Sequence, residues 1–395
     1  MPEHPPAQRL VFGGMSGTSL DGLDMVAVRL HGPGLSPDLQ ADVLAAVSLP
    51  LGSLGEHLRD LAESRPFTAA DIASLHRRFA DLHADAAEAL TAKLGQRPDL
   101  LAIHGQTVYH SPPHSWQLAD PTPLARRLAC PVVFNLRAAD IAAGGQGAPI
   151  TPLADWVLFR NATAAPAHAR PAIAVVNLGG FANFTLLPAA RSTPAEEWAA
   201  ISAGDICACN HILDTIARRV LGVPYDTDGA AAAQGEVDEE ALDDLRGILT
   251  AQTRPGRSLG TGDEAMSWVG RHRTRLEGPH LAATACEAIA ETIAAALLQH
   301  TQAAELPALT ILAGGGARNQ TLQRALAAAA CSRVLRSDAL PAELGGMAPE
   351  HREGAAIAVL GALCQDRVPI TLPQVTGCPA SQPPVGGTWV YPPAP

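Results

Sequence analysis

One pattern restricts the fold of this chain more than any other: an apolar run, a cluster of small hydrogen-bonding residues, and a second apolar run. It first appears over residues 10–30, LVFGGMSGTSLDGLDMVAVRL, and returns over 171–188 as PAIAVVNLGGFANFTLLP. A two-residue turn closes a hairpin, so the surplus of Gly, Ser and Thr in the first copy asks for another purpose than turning the chain. Backbone N–H groups beside glycines can converge on an anion, and the hydroxyls of Ser16, Thr18 and Ser19 add donors. Asp21 is suited to hold a divalent cation, since magnesium takes few carboxylates and many waters. The stretch has neither the GxxxxGK[ST] spacing of a Walker loop nor the GxGxxG of a dinucleotide fold. If it cradles phosphates, it does so as a hairpin loop. Two related hairpins suggest a duplicated α/β architecture with a ligand held between the halves.

The remainder alternates strand and helix. Residues 54–95 repeat apolar positions at three and four and read as helical. DLLAIHG and CPVVFNL are short strands, and GGQGAP is a glycine loop. CNHILDTIARRVLG, GEVDEEALDDLRGIL and the alanine-rich 280–303 stretch read as helices, and RSTPAEEWAA as a surface excursion. ALTILAGGGARNQTLQRALAAA is strand, triple glycine, helix, in which Gly314, Gly315 and Gly316 let a flat ligand approach the backbone.

Composition excludes several classes of function. The 395 residues are 47% hydrophobic and 17% charged, a globular balance long enough for two domains. A net charge of −11 and a pI near 5.7 leave no basic field for nucleic acid or anionic membrane. The start, MPEHPPAQRL, lacks the basic and apolar regions of a signal peptide, and apolar runs are interrupted by charge. Seven scattered cysteines suit a reducing, cytoplasmic setting.

The blocks GGMSGTSLDG, HGQTVYHSP, AADIAAGGQGAPITPLAD, NLGGFANFTLL, YDTDGAAAAQG, AGGGARNQTL, EGAAIAVLG and VTG, in order from residue 13 to residue 377, resemble those of the anhydro-N-acetylmuramic acid kinases. The resemblance implies an α/β fold of two ribonuclease-H-like domains, as in actin-like ATPases, around a central nucleotide cleft. The first is expected over 1–135 with a returning segment from about 351 to 395, and the second over 136–350. It implies ATP and Mg²⁺ as cofactors, with Gly14, Ser16, Gly17, Thr18, Ser19 and Asp21 in the first phosphate loop and Asp21 toward the metal. Asn177, Gly179 and Gly180 fall in the second loop, and Gly314, Gly315, Gly316 and Asn319 beside adenosine. The family reaction opens the 1,6-anhydro bridge of a cell-wall sugar by water attack at the anomeric carbon while O6 takes the γ-phosphoryl group. Such a reaction needs a general base, which the resemblance puts at Asp205, with His104, Arg137, Asp140 and Glu353 toward the sugar. The implied partners are a small anhydrosugar and ATP, without nucleic acid or membrane, and a homodimer is compatible with the pattern.

The sequence departs from the family at three places. Cys207, Ala208 and Cys209 stand where the family has Gly-Pro-Gly, NLRAAD has alanine at 138 and 139 where the family block is basic, and SLGTGDE keeps Thr261, Gly262 and Glu264 without basic residues. Recognition of a lactyl carboxylate normally uses a guanidinium. These departures leave open a catalytically impaired nucleotide- or sugar-binding paralogue, or a kinase for an uncharged anhydrosugar. From the residues alone, Asp205 also reads as a capping or turn residue before the CNHILD helix. Cys207, Cys209 and His211 suggest a metal site, but no second ligand pair of zinc spacing accompanies them. His110 and His114 read as loop or surface residues.

Overall fold

The computed structural model describes residues 8–17, 20, 22–252, 263–301, 305–379 and 384–393. Thr18, Ser19, Asp21, Thr261 and Gly262 lie outside the described residues, as does the side chain of Glu264. The chain divides into two units, one of Met1–Ala164, Arg191–Ile201 and Pro341–Pro395, the other of Ala165–Ala190 and Ser202–Leu340.

In the first unit, strands β1 (Gln8–Ser16), β2 (Gly22–His31) and β3 (Gln40–Pro50) form an antiparallel meander. Next come β4 (Leu100–Ile103), the separate hairpin β5 (Gln106–Ser111) and β6 (His114–Leu118), and β7 (Val132–Phe134). In the second unit, β8 (Ile173–Leu178), β9 (Phe181–Leu187) and β10 (Ser202–Ala208) repeat the meander, followed by β11 (Leu309–Ala313) and β12 (Arg333–Arg336). Strand β13 (Thr388–Val390) returns to the first sheet. The sheet orders are β13-β7-β4-β1-β2-β3 and β10-β9-β8-β11-β12. In both sheets the fourth and fifth strands run parallel to the first. This shared order and polarity is the ribonuclease-H-like arrangement, present twice.

The helices are α1 (Ser53–Ala62), α2 (Ala69–Leu94), α3 (Thr122–Leu128), α4 (Ala138–Ala142), α5 (Pro152–Phe159), α6 (Pro194–Ala200), α7 (Asn210–Ile216), α8 (Glu239–Gln252), α9 (Asp263–His272), α10 (Gly278–His300), α11 (Gln320–Ala329), α12 (Arg352–Gln365) and α13 (Pro373–Thr376). The helical region expected over 54–95 is thus two helices. Pro66 interrupts the periodicity, and α2 restarts on a capping box in which Thr68 and Asp71 bond each other's backbone N–H. Gly95, at φ 67°, ends it. α10 is long and apolar enough to span a membrane by composition alone, but it is the central core helix of the second unit, with Leu281, Ala285, Ile289 and Ile293 fully buried.

The expected boundary near 135 differs from this division: residues 136–164 stay in the first unit, and the return begins at 341. The physical reason is α12, which packs on β1, β4 and α5. Arg352 at its start donates from Nε to Asp155 on α5 at 2.8 Å, pairs with the same carboxylate through Nη2, and also reaches the Thr151 hydroxyl at 3.0 Å. Just past its end, Asp366 pairs with Arg9 and accepts from the Gly34 N–H at 2.7 Å. The excursion 191–201 also belongs here. Its helix α6 buries Glu197, which accepts from Trp156 Nε1 at 2.7 Å.

Two outcomes are expected. Arg352→Met strands the Asp155 carboxylate and should lower unfolding free energy in denaturant by about 3–5 kcal/mol, whereas Arg352→Met with Asp155→Leu should recover most of that. His83 on α2 is buried, donates from Nδ1 to the Phe79 carbonyl at 2.9 Å, and burial pushes its pKa down to about 4. The unfolded chain takes up its proton first, so the stability this group supports is complete above its unfolded pKa and is lost as pH falls toward 4. His83→Leu should remove one proton's share, about 1.4 kcal/mol per pH unit, from the slope of stability against pH in that window. An unaltered slope would refute the assignment.

Candidate functional site

In the first unit, the hairpin β1–β2 pairs Ser16 with Leu23, leaving a short connecting loop. The Gly17 carbonyl accepts from the Leu20 N–H at 3.1 Å, and Leu20 takes φ 56°. A non-glycine residue in that region is uncommon and marks a tightly specified turn. Gly14 and Ser16 both face inward. A Cβ at Gly14 would come within 2.9 Å of Met25 Cε and 3.3 Å of His83 Cδ2, so this glycine permits packing beneath the loop. Ser16 is buried and its hydroxyl donates to Gln106 Oε1 at 2.8 Å. That bond ties the loop to the start of β5.

A second group sits at the end of β4 and around α4. His104 is buried, with Nδ1 bonded to the Gly105 carbonyl at 2.9 Å and Nε2 accepting from Arg137 Nε at 2.9 Å. Burial, and then the adjacent guanidinium, push the imidazole pKa down to about 3, so it is neutral at physiological pH and accepts from Arg137. Arg137 Nη1 donates to the Gly147 carbonyl at 2.6 Å. Asp140, 1% exposed, receives the Gly147 N–H at 2.7 Å on Oδ2 and the Thr376 hydroxyl at 2.8 Å on Oδ1. His104, Arg137 and Asp140 are therefore brought together, and the glycine loop 144–147 is held from both sides. Glu353 is half-buried in the first turn of α12, next to the fixed Arg352.

In the second unit, the turn of β8–β9 docks on the start of α7. The Gly179 carbonyl accepts from Asn210 N at 3.0 Å, and the Gly180 carbonyl accepts from Cys209 N at 2.9 Å and His211 N at 3.2 Å. The N-terminal donors of this helix are thereby satisfied. Asn177, buried, is in register with Asn183, and Asp205 on β10 is opposite that same Asn183. The register of β10 shifts between Asp205 and Cys207. Such bulges re-aim side chains and are frequent beside active sites. Asp205 is exposed while Ile206, Cys207, Ala208 and Cys209 are buried. Asp205 does not cap the helix: Cys209 holds the N-cap position, and Asp205 is on a strand.

The altered 207–209 turn is absorbed in the core. Burial pushes the Cys207 thiol up to about 12 and the Cys209 thiol well above its ordinary value, so both are protonated and poor metal ligands. His211 packs its ring on Phe181 at 4.7 Å. Among the described residues no group of three or more His, Cys, Asp or Glu is placed to hold a metal ion.

The triple glycine after β11 divides its roles. A Cβ at Gly314 would meet Asn177 Oδ1 at 2.6 Å, and one at Gly316 would meet Asn210 Oδ1 at 2.6 Å, whereas one at Gly315 would find open space. Asn319 caps α11, its Oδ1 accepting from Thr321 N at 3.0 Å and Leu322 N at 2.9 Å. Of the four residues expected beside adenosine, Gly315 alone borders open space, and Asn319 acts by holding the helix start. Gln106 and Thr376 were missed by sequence reasoning. Both lie inside quoted blocks, HGQTVYHSP and VTG, but their partners are far away in sequence.

The sequence model of the anhydro-N-acetylmuramic acid kinase family matches residues 9–392. An anhydro-N-acetylmuramic acid kinase of Salinibacter ruber is 35% identical over 402 residues, covering 96% of each chain. One of Bordetella pertussis is 36% identical over 394 residues, covering 96% of this chain and 95% of its own. Among solved structures, an activator of 2-hydroxyisocaproyl-CoA dehydratase from Clostridium difficile with bound ADPNP aligns over 89% of this chain and 94% of its own, at 12% identity and a TM-score of 0.44. With the family's sequence model matched from residue 9 to residue 392 and relatives above one-third identity end to end, the chain belongs to the anhydro-N-acetylmuramic acid kinase family.

Proposed function

We propose that this ATP-dependent sugar kinase hydrolyses the 1,6-anhydro bridge of anhydro-N-acetylmuramic acid and phosphorylates O6, giving N-acetylmuramic acid 6-phosphate, with Asp205 as general base. The single observation that supports the assignment of the base is the exposure of Asp205 on a bulged strand whose next four residues are buried. Water adds to the anomeric carbon as Asp205 takes its proton. The C1–O6 bond breaks with its electron pair on O6, and O6 attacks the γ-phosphorus as ADP leaves. Phosphoryl transfer then depends mainly on positioning and charge neutralisation.

The remaining roles are proposed from the family resemblance, and for the described residues their surroundings support them. Gly17 and the loop to Leu20 are proposed for the phosphates, Gly179 and Gly180 for the second phosphate turn, and Gly315 for the nucleoside. Gly14, Ser16, Gly314, Gly316 and Asn319 support those loops from behind. Arg137, oriented by neutral His104, is proposed as the cation for the substrate carboxylate, with Asp140 and Thr376 holding the loop that receives it and Glu353 facing the sugar. A Mg²⁺ ion accompanying ATP would need few protein carboxylates, because that ion keeps water and phosphate ligands. Asp21 is the residue proposed to hold it, and the ion supplies neutralisation of phosphate charge. All seven cysteines are unpaired, which supports a reducing compartment.

Asp205→Asn should lower turnover by about 10²–10⁴-fold with ATP affinity nearly unchanged, read by coupled ADP release on the anhydrosugar. Near wild-type turnover would leave Asp205 structural. Gly315→Leu should raise the ATP dissociation constant by about tenfold or more without loss of thermal stability, because its side chain enters space that is open in the protein. Undiminished ATP binding would remove Gly315 from the nucleotide site.

A further inference from the structure

Helix α8 carries a polar residue in an otherwise apolar stripe. Leu242, Leu245, Leu249 and Gln252 follow one another at intervals of three and four residues, which puts them on one side of the helix, and all four are buried, Gln252 at 5% exposed. A carboxamide is an uncommon occupant of such a stripe and is kept in a core where its hydrogen bonds are made. Here Gln252 Oε1 accepts from the N–H of Ala208 on β10 at 2.9 Å.

The sheet explains why that N–H takes a side-chain partner. β10 is the terminal strand of the order β10-β9-β8-β11-β12, so among the described residues it has a strand neighbour on one edge only. Successive N–H groups of a strand point to opposite edges. The Cys209 N–H reaches the Gly180 carbonyl of the β8–β9 turn at 2.9 Å, whereas the Ala208 N–H is met by Gln252. Both groups fall just past the bulge: Asp205 is in register with Asn183 and Cys207 with Ala182, and Ile206 between them has no register partner. A bulge that moves by one residue turns the side chains it passes to the other face of the strand. For Asp205, exposed ahead of four buried residues, such a slip carries the carboxylate off its exposed face.

We propose that Gln252 is a positioning residue for Asp205: by holding the Ala208 N–H it keeps the bulge at Ile206 and thereby fixes the face on which the Asp205 carboxylate stands. The inference rests on Asp205 as general base and adds the residue that sets its register. Gln252 acts through the backbone of β10, three residues beyond the base, and its place in the stripe is polar because a terminal strand needs an acceptor there.

Two substitutions of the full chain test this. Gln252→Met keeps the length and completes the apolar stripe without a carboxamide acceptor, and Gln252→Asn keeps the carboxamide but withdraws it by one methylene. Each should lower kcat on the anhydrosugar by about tenfold, with the sugar KM and the ATP dissociation constant unchanged within about twofold. The deciding measurement is a double-mutant cycle with Asp205→Asn, read by coupled ADP release. With the base already removed, either Gln252 substitution should cost less than about twofold more. A residue that only stabilises the second unit lowers activity by the same factor in both backgrounds, and that result overturns the proposal, as does wild-type kcat in both single variants or a loss confined to KM. Amide hydrogen exchange of residues 202–209 is a readout independent of turnover and applies to whichever variant folds: faster exchange is expected, and unaltered exchange overturns the proposal. Near wild-type turnover of Asp205→Asn removes the base and this inference together, whereas an impaired Asp205→Asn beside unimpaired Gln252 variants removes this inference alone.

Discussion

The approach of α12 to β1 and β4 is the constraint on which the first unit depends. A Cβ at Gly13 would collide with the Gly354 carbonyl and the Ala358 amide, one at Gly354 would fall 2.6 Å from Val26, and one at Gly361 would strike Ala102. Backbone therefore lies on backbone, and 12 of the 14 residues of the helix are buried. An interior at that density responds to a single added methyl. With the helix so close, its ends must also be placed, and an arginine–aspartate pair does this at each: Arg352 with Asp155 and Arg9 with Asp366. Buried pairs of this kind contribute little net stability relative to apolar replacements but penalise misplacement strongly. The first turn bearing Glu353 inherits that placement.

The second unit uses hydrogen bonds where the first uses close helix packing. The first N–H groups of α7 are received by Gly179 and Gly180, the side-chain amide of Asn210 reaches the Leu178 carbonyl at 3.2 Å, and Gly314 and Gly316 fit against the same hairpin end. These contacts tie the β8–β9 turn, the start of α7 and the end of β11 into one cluster. Backbone groups that loops would otherwise leave unsatisfied are paired within it. The Cys-Ala-Cys sequence fits because its side chains enter the core, while the hydrogen bonds of the turn come from its backbone.

Many of the small residues thus have two kinds of work. Gly315 borders space, whereas its neighbours pack; Asp140 holds backbone and a hydroxyl, whereas Arg137 is oriented by a neutral imidazole. A loop proposed to hold an anion in one geometry needs such support from behind, because side-chain and backbone freedom would otherwise dissipate the interaction.

The sequence alone determined the duplicated strand–glycine turn–strand pattern, the α/β class and the family, because these rest on local periodicity and on ordered short blocks. It did not reveal β3, whose half-exposed residues alternate weakly, or β10, whose few residues read as a turn before a helix. Nor could it separate packing glycines from one that borders open space: Gly14, Gly314, Gly315 and Gly316 are alike in sequence, and only the atoms of Met25, Asn177 and Asn210 around them decide the difference. The same holds for Asp140 with Thr376 and Arg352 with Asp155, whose partners stand 236 and 197 residues apart. Tertiary structure decided those roles, because a buried polar group is defined by the partner that folding brings to it, and no local signal in the chain specifies that partner.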